Sequence, residues 1–297
     1  MTSPSPTVFV FGSLHYDIIV KGPARPRKGE TVAGTAWHPK CGGKGGNQAV
    51  SAARTGVPTM MIGAVANDDF GATLVANLAS KGVDHRFVRT IEGSASGMSV
   101  AIFDGEGDYG AVFVSGSNLE LSATDVDAAR QHFAPDSLLV LQSEVPDAAN
   151  VLAASAMKAA GGRVLINAAP ARALSADLVA LIDIIVVNAV EAEMLAGIEH
   201  VDSLGDALAA AHVLAKTYPV AVVTAGGEGV ACVERGSTAE IMIPARKVKL
   251  ISTHGAGDEF IGVLAANLVR GESTAVALEK ANEAAAILVS TPTSDHI

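Results

Sequence analysis

The sequence predicts an α/β protein: a doubly wound, mostly parallel sheet flanked by helices, with a small β-sheet lid. Three observations carry that expectation. From Ser137 onward, short β-branched runs alternate with Ala-rich stretches of helical length, the rhythm of strand–helix units joined by right-handed crossovers. Hydrophobic residues fill 49% of the 297 positions but aromatics only 4%, so Ala, Val, Leu and Gly must build the core, as suits helices laid on a parallel sheet. Two polar zones of short alternation, 13–40 and 95–118, interrupt the rhythm and read as hairpins.

Taken in order, "TVFVFG" (Thr7 to Gly12) is a buried strand ending in glycine. "HYDIIVKG" and the Pro- and Gly-rich "PARPRKGETVAGTAWHPKC" form the first hairpin zone. "GGKGGNQAVSAARTG" begins as a glycine loop and becomes an Ala-rich helix ending at Gly56. "TMMIGAVAND" is a strand, and "DFGATLVANLASKGVD" a helix closed by Gly82. In the second hairpin zone, Asp-Gly-Glu-Gly between two β runs marks the turn. Then follow strand "SLLVLQSE", helix "AANVLAASAMKAAG", strand "RVLINAAP", strand and helix "IIVVNAVEAEMLAG", and helix "DALAAAHVLAKTY". "VAVVTAGGEGVACVE" is a strand with a glycine turn, and "DEFIGVLAANLVRG" and "TAVALEKANEAAAILVS" are two closing helices. Residues 1–12, 41–94 and 119–297 are expected to form the core. The zones 13–40 and 95–118 are expected to join as one lid over the carboxyl ends of the strands, where open α/β sheets bind ligands.

The net charge of −10 gives no overall field toward nucleic acid or anionic lipid. The two cysteines, Cys41 and Cys232, match no disulfide framework or metal spacing. "MTSPSPTVFVFG" has no basic n-region, and the longest apolar run, "LVALIDIIVV", is broken by Asp183. A soluble, cytoplasmic protein with no nucleic-acid or membrane partner is expected.

The glycine-rich segments hold the candidate chemistry. In "GAGD", Gly255 and Gly257 let backbone amides converge, and the helix after Asp258 adds free N–H groups and a positive dipole end. That is an anion hole suited to a phosphoryl group, with Asp258 placed to take a proton from an alcohol. The positive field should keep Asp258 ionised and limit its basicity. The plainer alternative is a glycine turn with Asp258 as N-cap. "CGGKGGNQAV" has neither the P-loop spacing nor a dinucleotide fingerprint, but it sets Gly42 and Gly43 beside Lys44 and Asn47, donors and acceptors for a polyol. In "VVNAVEAE", Asn188 ends a strand and Glu191 opens a helix. They suit either a phosphate with hydrated magnesium or a capping box. Thr224, Gly226, Gly227 and Gly229 in "VTAGGEGV" could admit a nucleotide against bare backbone, or form an ordinary hairpin. Asp17 and Glu144 each end a strand on the side where ligand residues are delivered.

The order of these segments resembles the ribokinase-like (PfkB-type) carbohydrate kinases over nearly the whole chain. "GGKGGNQAVSAARTG" matches the first family signature and "THGAGDEFIG" the second. "NAAPARAL", "NAVEAEMLAGI" and "VTAGGEGV" fall between them in the family's order, and "GETVAG" and "INAAPARAL" lean toward its ribokinase branch. The resemblance implies transfer of the γ-phosphate of ATP to a primary hydroxyl of ribose or a related sugar, with magnesium. It implies Asp258 as catalytic base and the amides of Gly255, Ala256 and Gly257 as anion hole. His15, Asp17, Gly43, Lys44, Asn47 and Glu144 would contact the sugar. Asn188, Thr224, Gly226, Gly229 and Asn282 would serve the nucleotide, and Glu191 the magnesium, through water. The resemblance also implies a lid that forms a homodimer interface in many members.

The sequence departs from the pattern at three places. The aspartate usual before the second signature is Ser252, and the chain stops at "STPTSDHI" without the usual tail, which together count against a monovalent cation such as potassium. His15 stands where an asparagine is usual, which puts ribose selectivity in question. Alternatives are a nucleoside or other carbohydrate kinase of the family, against which the scarcity of lid aromatics argues mildly, or a binding regulator that has lost catalysis.

Overall fold

The structure, a computed structural model, describes residues 6–106 and 108–291. The tail from position 292 on and the last glycine of the Asp-Gly-Glu-Gly turn lie outside the described residues. The strands are β1 Val8–Phe11, β2 His15–Lys21, β3 Ala36–Gly42, β4 Thr59–Ala66, β5 Asp84–Ile91, β6 Gly97–Phe103, β7 Tyr109–Val114, β8 Leu138–Gln142, β9 Arg163–Asn167, β10 Ile184–Asn188, β11 Val220–Thr224, β12 Gly229–Glu234 and β13 Glu240–Pro244. The helices are α1 Lys44–Arg54, α2 Asp69–Ser80, α3 Ala123–Ala129, α4 Asp147–Ala159, α5 Ala176–Val179, α6 Ala189–Ala196, α7 Leu204–Leu214, α8 Ala256–Val269 and α9 Thr274–Ser290.

The large sheet runs β13-β12-β11-β10-β9-β8-β1-β4-β5. From β11 to β5 neighbouring strands pair in parallel, and β12 and β13 close one side antiparallel. Alternation along each strand feeds two cores. Phe9 and Phe11 of β1 join Leu139 and Leu141 under Ala153, Met157, Ala207 and Ala211 of α4 and α7. Val8 and Val10 join Leu138 and Val140 under Ala49 and Ala52 of α1 and Ile261 and Leu264 of α8. The central strands are therefore apolar through their middle positions, since both faces are covered, and turn polar only at their ends, as at Gln142, Asn167 and Asn188. No helix of the described residues is long and apolar enough to cross a membrane.

The two hairpin zones do build one small sheet, ordered β3-β2-β6-β7. β2 pairs antiparallel with β3 and parallel with β6, so the joint between the zones is the β2–β6 ladder. Tyr16 of β2 stacks flat on Phe70 of α2, ring centroids 4.3 Å apart, and seats this sheet on the core. At its base the fully buried Asn118 accepts from the Leu14 N–H and donates to the carbonyls of Leu14 and Ser115.

Two helix starts differ from expectation. The glycine loop of "GGKGGNQAV" is absent as a loop: β3 runs through Gly42, and α1 begins at Lys44 with Gly45 and Gly46 already in its first turn. Likewise α8 begins at Ala256, so Asp258 lies inside its first turn and the N-cap is Gly255. Close packing explains the first case, because the Gly45 Cα faces the backbone of Gly12 and Ser13, leaving no space for a side chain.

Candidate active site

Gly43 makes the direct passage from strand to helix possible. Its φ is +84°, and a Cβ there would meet the His15 amide nitrogen at 2.7 Å. The sharp passage puts Lys44 at the first helical position, and its N–H donates to Glu144 Oε2 at 2.9 Å. Ser13 Oγ donates to the same oxygen. His15 Nδ1 lies 3.9 Å from it. Glu144, just past β8, thus gathers the end of β1, the start of β2 and the start of α1. On β2, Asp17 accepts from Ser99 Oγ of β6 at 2.5 Å and sits opposite Lys40 of β3. Burial pushes the Asp17 carboxyl up, against the pull of Ser99, His15, His254 and Lys40.

Asp258 is the centre of the site. It is 8% exposed, with Oδ2 held by Asn47 Nδ2 and Oδ1 by Gln48 Nε2, both at 2.9 Å. The expectation of a carboxylate of limited basicity is corrected here. Burial raises its pKa, outweighing Lys44, Asn47 and Gln48, which favour the ionised form; Glu144 adds to the rise. The next residue, Glu259, accepts from Ser51 Oγ and Arg54 Nη2, each at 2.6 Å. Consecutive acids of α8 are thus gripped by successive turns of α1.

A cavity of about 180 Å³ opens beside Asp258 at the carboxyl ends of β9, β10 and β11. Lys44, Asn188, Glu191, Thr224, Gly255, Gly257 and Asp258 line it. The first amides of α8 cannot be used by the helix's own ladder and are available to an anion. Of these, Ala256 N–H is engaged by the Thr253 carbonyl at 3.3 Å. A Cβ on Gly257 would meet nothing within 4 Å, so its backbone is open to a ligand.

Asn188 and Glu191 form the full capping box. The Glu191 N–H donates to Asn188 Oδ1 at 3.0 Å and the Asn188 N–H to Glu191 Oε2 at 2.8 Å. The box and the ligand reading are compatible, because it occupies one Glu191 oxygen while the residue still lines the cavity. Burial raises the Glu191 pKa. Among the described residues no group of three or more His, Cys, Asp or Glu could hold a metal alone. Glu191 beside this cavity nevertheless fits magnesium, which keeps several waters and needs only one or two carboxylates.

The remaining expected residues lie off this cavity. His15 and Asp17 lie on β2 of the small sheet, Gly43 and Asn47 at the start of α1, and Glu144 just past β8. Gly226 and Gly229 flank the turn between β11 and β12, and Asn282 of α9 donates to the Pro244 carbonyl at 3.0 Å. Ser252 Oγ accepts from the His254 N–H at 3.3 Å, closing a local turn ahead of α8. Missed in the sequence were Gln48, Lys40, His254 and the Ser51–Arg54–Glu259 group. A signal for Gln48 existed: positions 44, 47, 48 and 51 share one face of a helix, and they are the polar stripe of an Ala-rich segment.

Comparison with known proteins accords with this geometry. The model of the pfkB family carbohydrate kinase matches residues 5–296. The chain is 34% identical to the ribokinase of Haemophilus influenzae, over 95% of this chain and 92% of that one. It is 33% identical to the deoxyribokinase of Salmonella typhi, over 92% and 89%. The structure of Arabidopsis thaliana ribokinase complexed with ribose and ATP superposes with a TM-score of 0.87 at 27% identity, covering 97% of this chain and 93% of that one.

Proposed function

The chain belongs to the pfkB family of carbohydrate kinases, and from that premise we propose that it transfers the γ-phosphate of ATP to a primary hydroxyl of ribose or a closely related sugar. It is a ribokinase-like sugar kinase, a phosphotransferase with an alcohol acceptor. The observation that carries the finer reading is the Asp258 carboxylate, held by α1 on one side and open on the other to a cavity lined by Lys44, Glu191 and the Gly257 backbone.

Asp258 takes the hydroxyl proton as the oxygen attacks phosphorus. Its raised pKa makes it a better acceptor than an ordinary aspartate. The amides of Gly255 and Gly257 and the Lys44 ammonium stabilise charge on the moving phosphoryl group, while the expected Ala256 amide is taken by the Thr253 carbonyl. His15, Asp17, Gly43, Asn47 and Glu144 hold the sugar under the lid, which excludes water. Asn188, Thr224, Gly226, Gly229 and Asn282 serve the nucleotide. Magnesium supplies neutralisation of phosphate charge, and Glu191 is the residue that would hold its water shell. Ser252 brings no charge to its loop, which supports turnover without a monovalent cation. Trp37, Val112, Phe113 and Val114 are exposed on the lid, and a second copy of the chain would cover them.

Sugar-dependent ADP release, measured across pentoses including 2-deoxyribose, hexoses and nucleosides, tests the assignment. Ribose or a close pentose should give the highest kcat/KM. Turnover confined to nucleosides, or ADP release indifferent to any sugar, would overturn it. Glu144→Gln gives a second check. The neutral amide binds the Lys44 N–H and Ser13 Oγ less strongly, and hydrogen bonds to charged groups contribute about 1.5–3 kcal/mol. The sugar KM should rise about tenfold or more while the ATP KM changes little. An unchanged sugar KM would remove Glu144 from the sugar site.

A further inference from the structure

Gln48 is fully buried and stands behind the carboxylate, on the side away from solvent. Its Nε2 donates to Asp258 Oδ1 at 2.9 Å and to Asn167 Oδ1 at 3.3 Å. An ionised carboxylate only accepts, so the Gln48 amide must turn its NH2 toward Asp258. Its Oε1 then faces Gln142, which must answer with its own NH2, at 2.9 Å. That choice leaves Gln142 Oε1 buried over Gly12 without a partner among the described residues. The fold tolerates an unpaired buried acceptor as the consequence of the orientation that the carboxylate imposes on the whole relay. The relay ties the ends of β8 and β9 to one oxygen of Asp258. Among the described residues the other oxygen, Oδ2, is hydrogen-bonded only by Asn47, which is partly exposed.

We propose that Gln48, held by Gln142, is a positioning residue for phosphoryl transfer: it occupies Oδ1 from the buried side and so assigns proton acceptance to Oδ2. The inference rests on Asp258 being the base. The acceptor O–H proton passes to Oδ2, and the freed electron pair forms the new O–P bond. The bond from phosphorus to the leaving nucleoside diphosphate breaks, and its electron pair stays on the diphosphate's terminal oxygen.

The relay predicts a pH signature. Donation from Gln48 favours the ionised form of Asp258, so removing it raises the pKa and moves the acid limb of kcat to higher pH. Lys44 of α1 and Lys40 of β3 oppose that rise, and Glu144 after β8 supports it. Glu191 of α6 lines the same cavity, and Glu259 follows on α8. All of these remain in place when Gln48 is changed.

Gln48→Met keeps the volume and removes the donor. We expect kcat to fall about tenfold or more and the acid limb to move up by roughly one pH unit, with both KM values within about twofold. Gln142→Met should move the limb the same way by a smaller amount. The double variant should be no worse than Gln48→Met alone, because both act through one hydrogen bond. Thermal melting establishes that each variant is folded, and if Gln48→Met is not, Gln142→Met decides. A folded Gln142→Met with wild-type kcat and limb overturns the relay. Asp258→Asn separates the levels: if it stays active, the base assignment fails. If it is inactive while Gln48→Met and Gln142→Met keep the wild-type profile, only this inference fails.

Discussion

Replacing Asp258 with asparagine lowers kcat by about 10²–10⁴-fold, the usual contribution of a positioned general base, while sugar binding changes little. Asparagine keeps the shape of the side chain and can still accept from Gln48 through its oxygen. Its NH2 then faces Asn47 Nδ2, donor against donor, and a turn of the half-buried Asn47 amide relieves that. The fold should therefore survive, and the loss should fall on kcat. ADP release gives the rate, and titration calorimetry with the preferred sugar gives the affinity. The wild-type pH profile belongs to the same argument. The base works only when ionised, so turnover falls as pH drops through its pKa. Burial raises that pKa, so the acid limb should lie above the ordinary carboxylate range. A variant that retains a tenth or more of wild-type kcat would take the proton-accepting role away from Asp258.

The fold class was legible because a sheet covered on both faces writes itself as apolar runs, as in β8, β9 and β10. The edges were not. β5, "DHRFVRTI", and β13, "EIMIP", are half-covered edge strands whose polar positions hide them among loops, and both went unrecognised. α5 has one turn and no period to detect. At the site, glycine clusters announced close backbone approach but not the structure that approach serves. Gly45 and Gly46 read as loop, yet they lie in a helix pressed on the β1–β2 connection. The Asp258 error has a similar source. Local sequence shows the glycine amides and the helix dipole, which favour ionisation. The burial that overrides them comes from the packing of α1 against α8 some 200 positions away, at contacts such as Gln48–Asp258 with a separation of 210. The ligand-facing positions could be named from pattern, but the buried polar groups behind them needed the tertiary structure.

The packing of those two helices has its own measurable consequence. Gly262 lies one turn beyond Asp258 on the same face of α8. A Cβ there would meet Ser51 Cβ at 2.5 Å, the Gln48 carbonyl oxygen at 2.6 Å and the Ala52 nitrogen at 2.7 Å. Two of those atoms are backbone and cannot rotate away. Nor can α1 retreat, because its first turn is pressed against Gly12 and Ser13, where a Cβ on Gly45 would come within 2.7 Å of three backbone atoms. Gly262→Ala must therefore push the helices apart, and overpacking of this kind costs about 1–3 kcal/mol. The melting temperature should fall by about 2–6 °C. The same displacement stretches the hydrogen bonds from Asn47 and Gln48 to Asp258 and those from Ser51 and Arg54 to Glu259. A shift on the order of 1 Å at a reacting group can cost about 10²-fold in rate, so kcat should fall by more than the lost stability alone accounts for. Gly227→Ala, where a Cβ meets nothing within 4 Å, is the matched control and should melt like the wild type. If Gly262→Ala also melts and turns over like the wild type, α1 and α8 have slack between them, and the grip of α1 on the two acids cannot be what sets the position of Asp258.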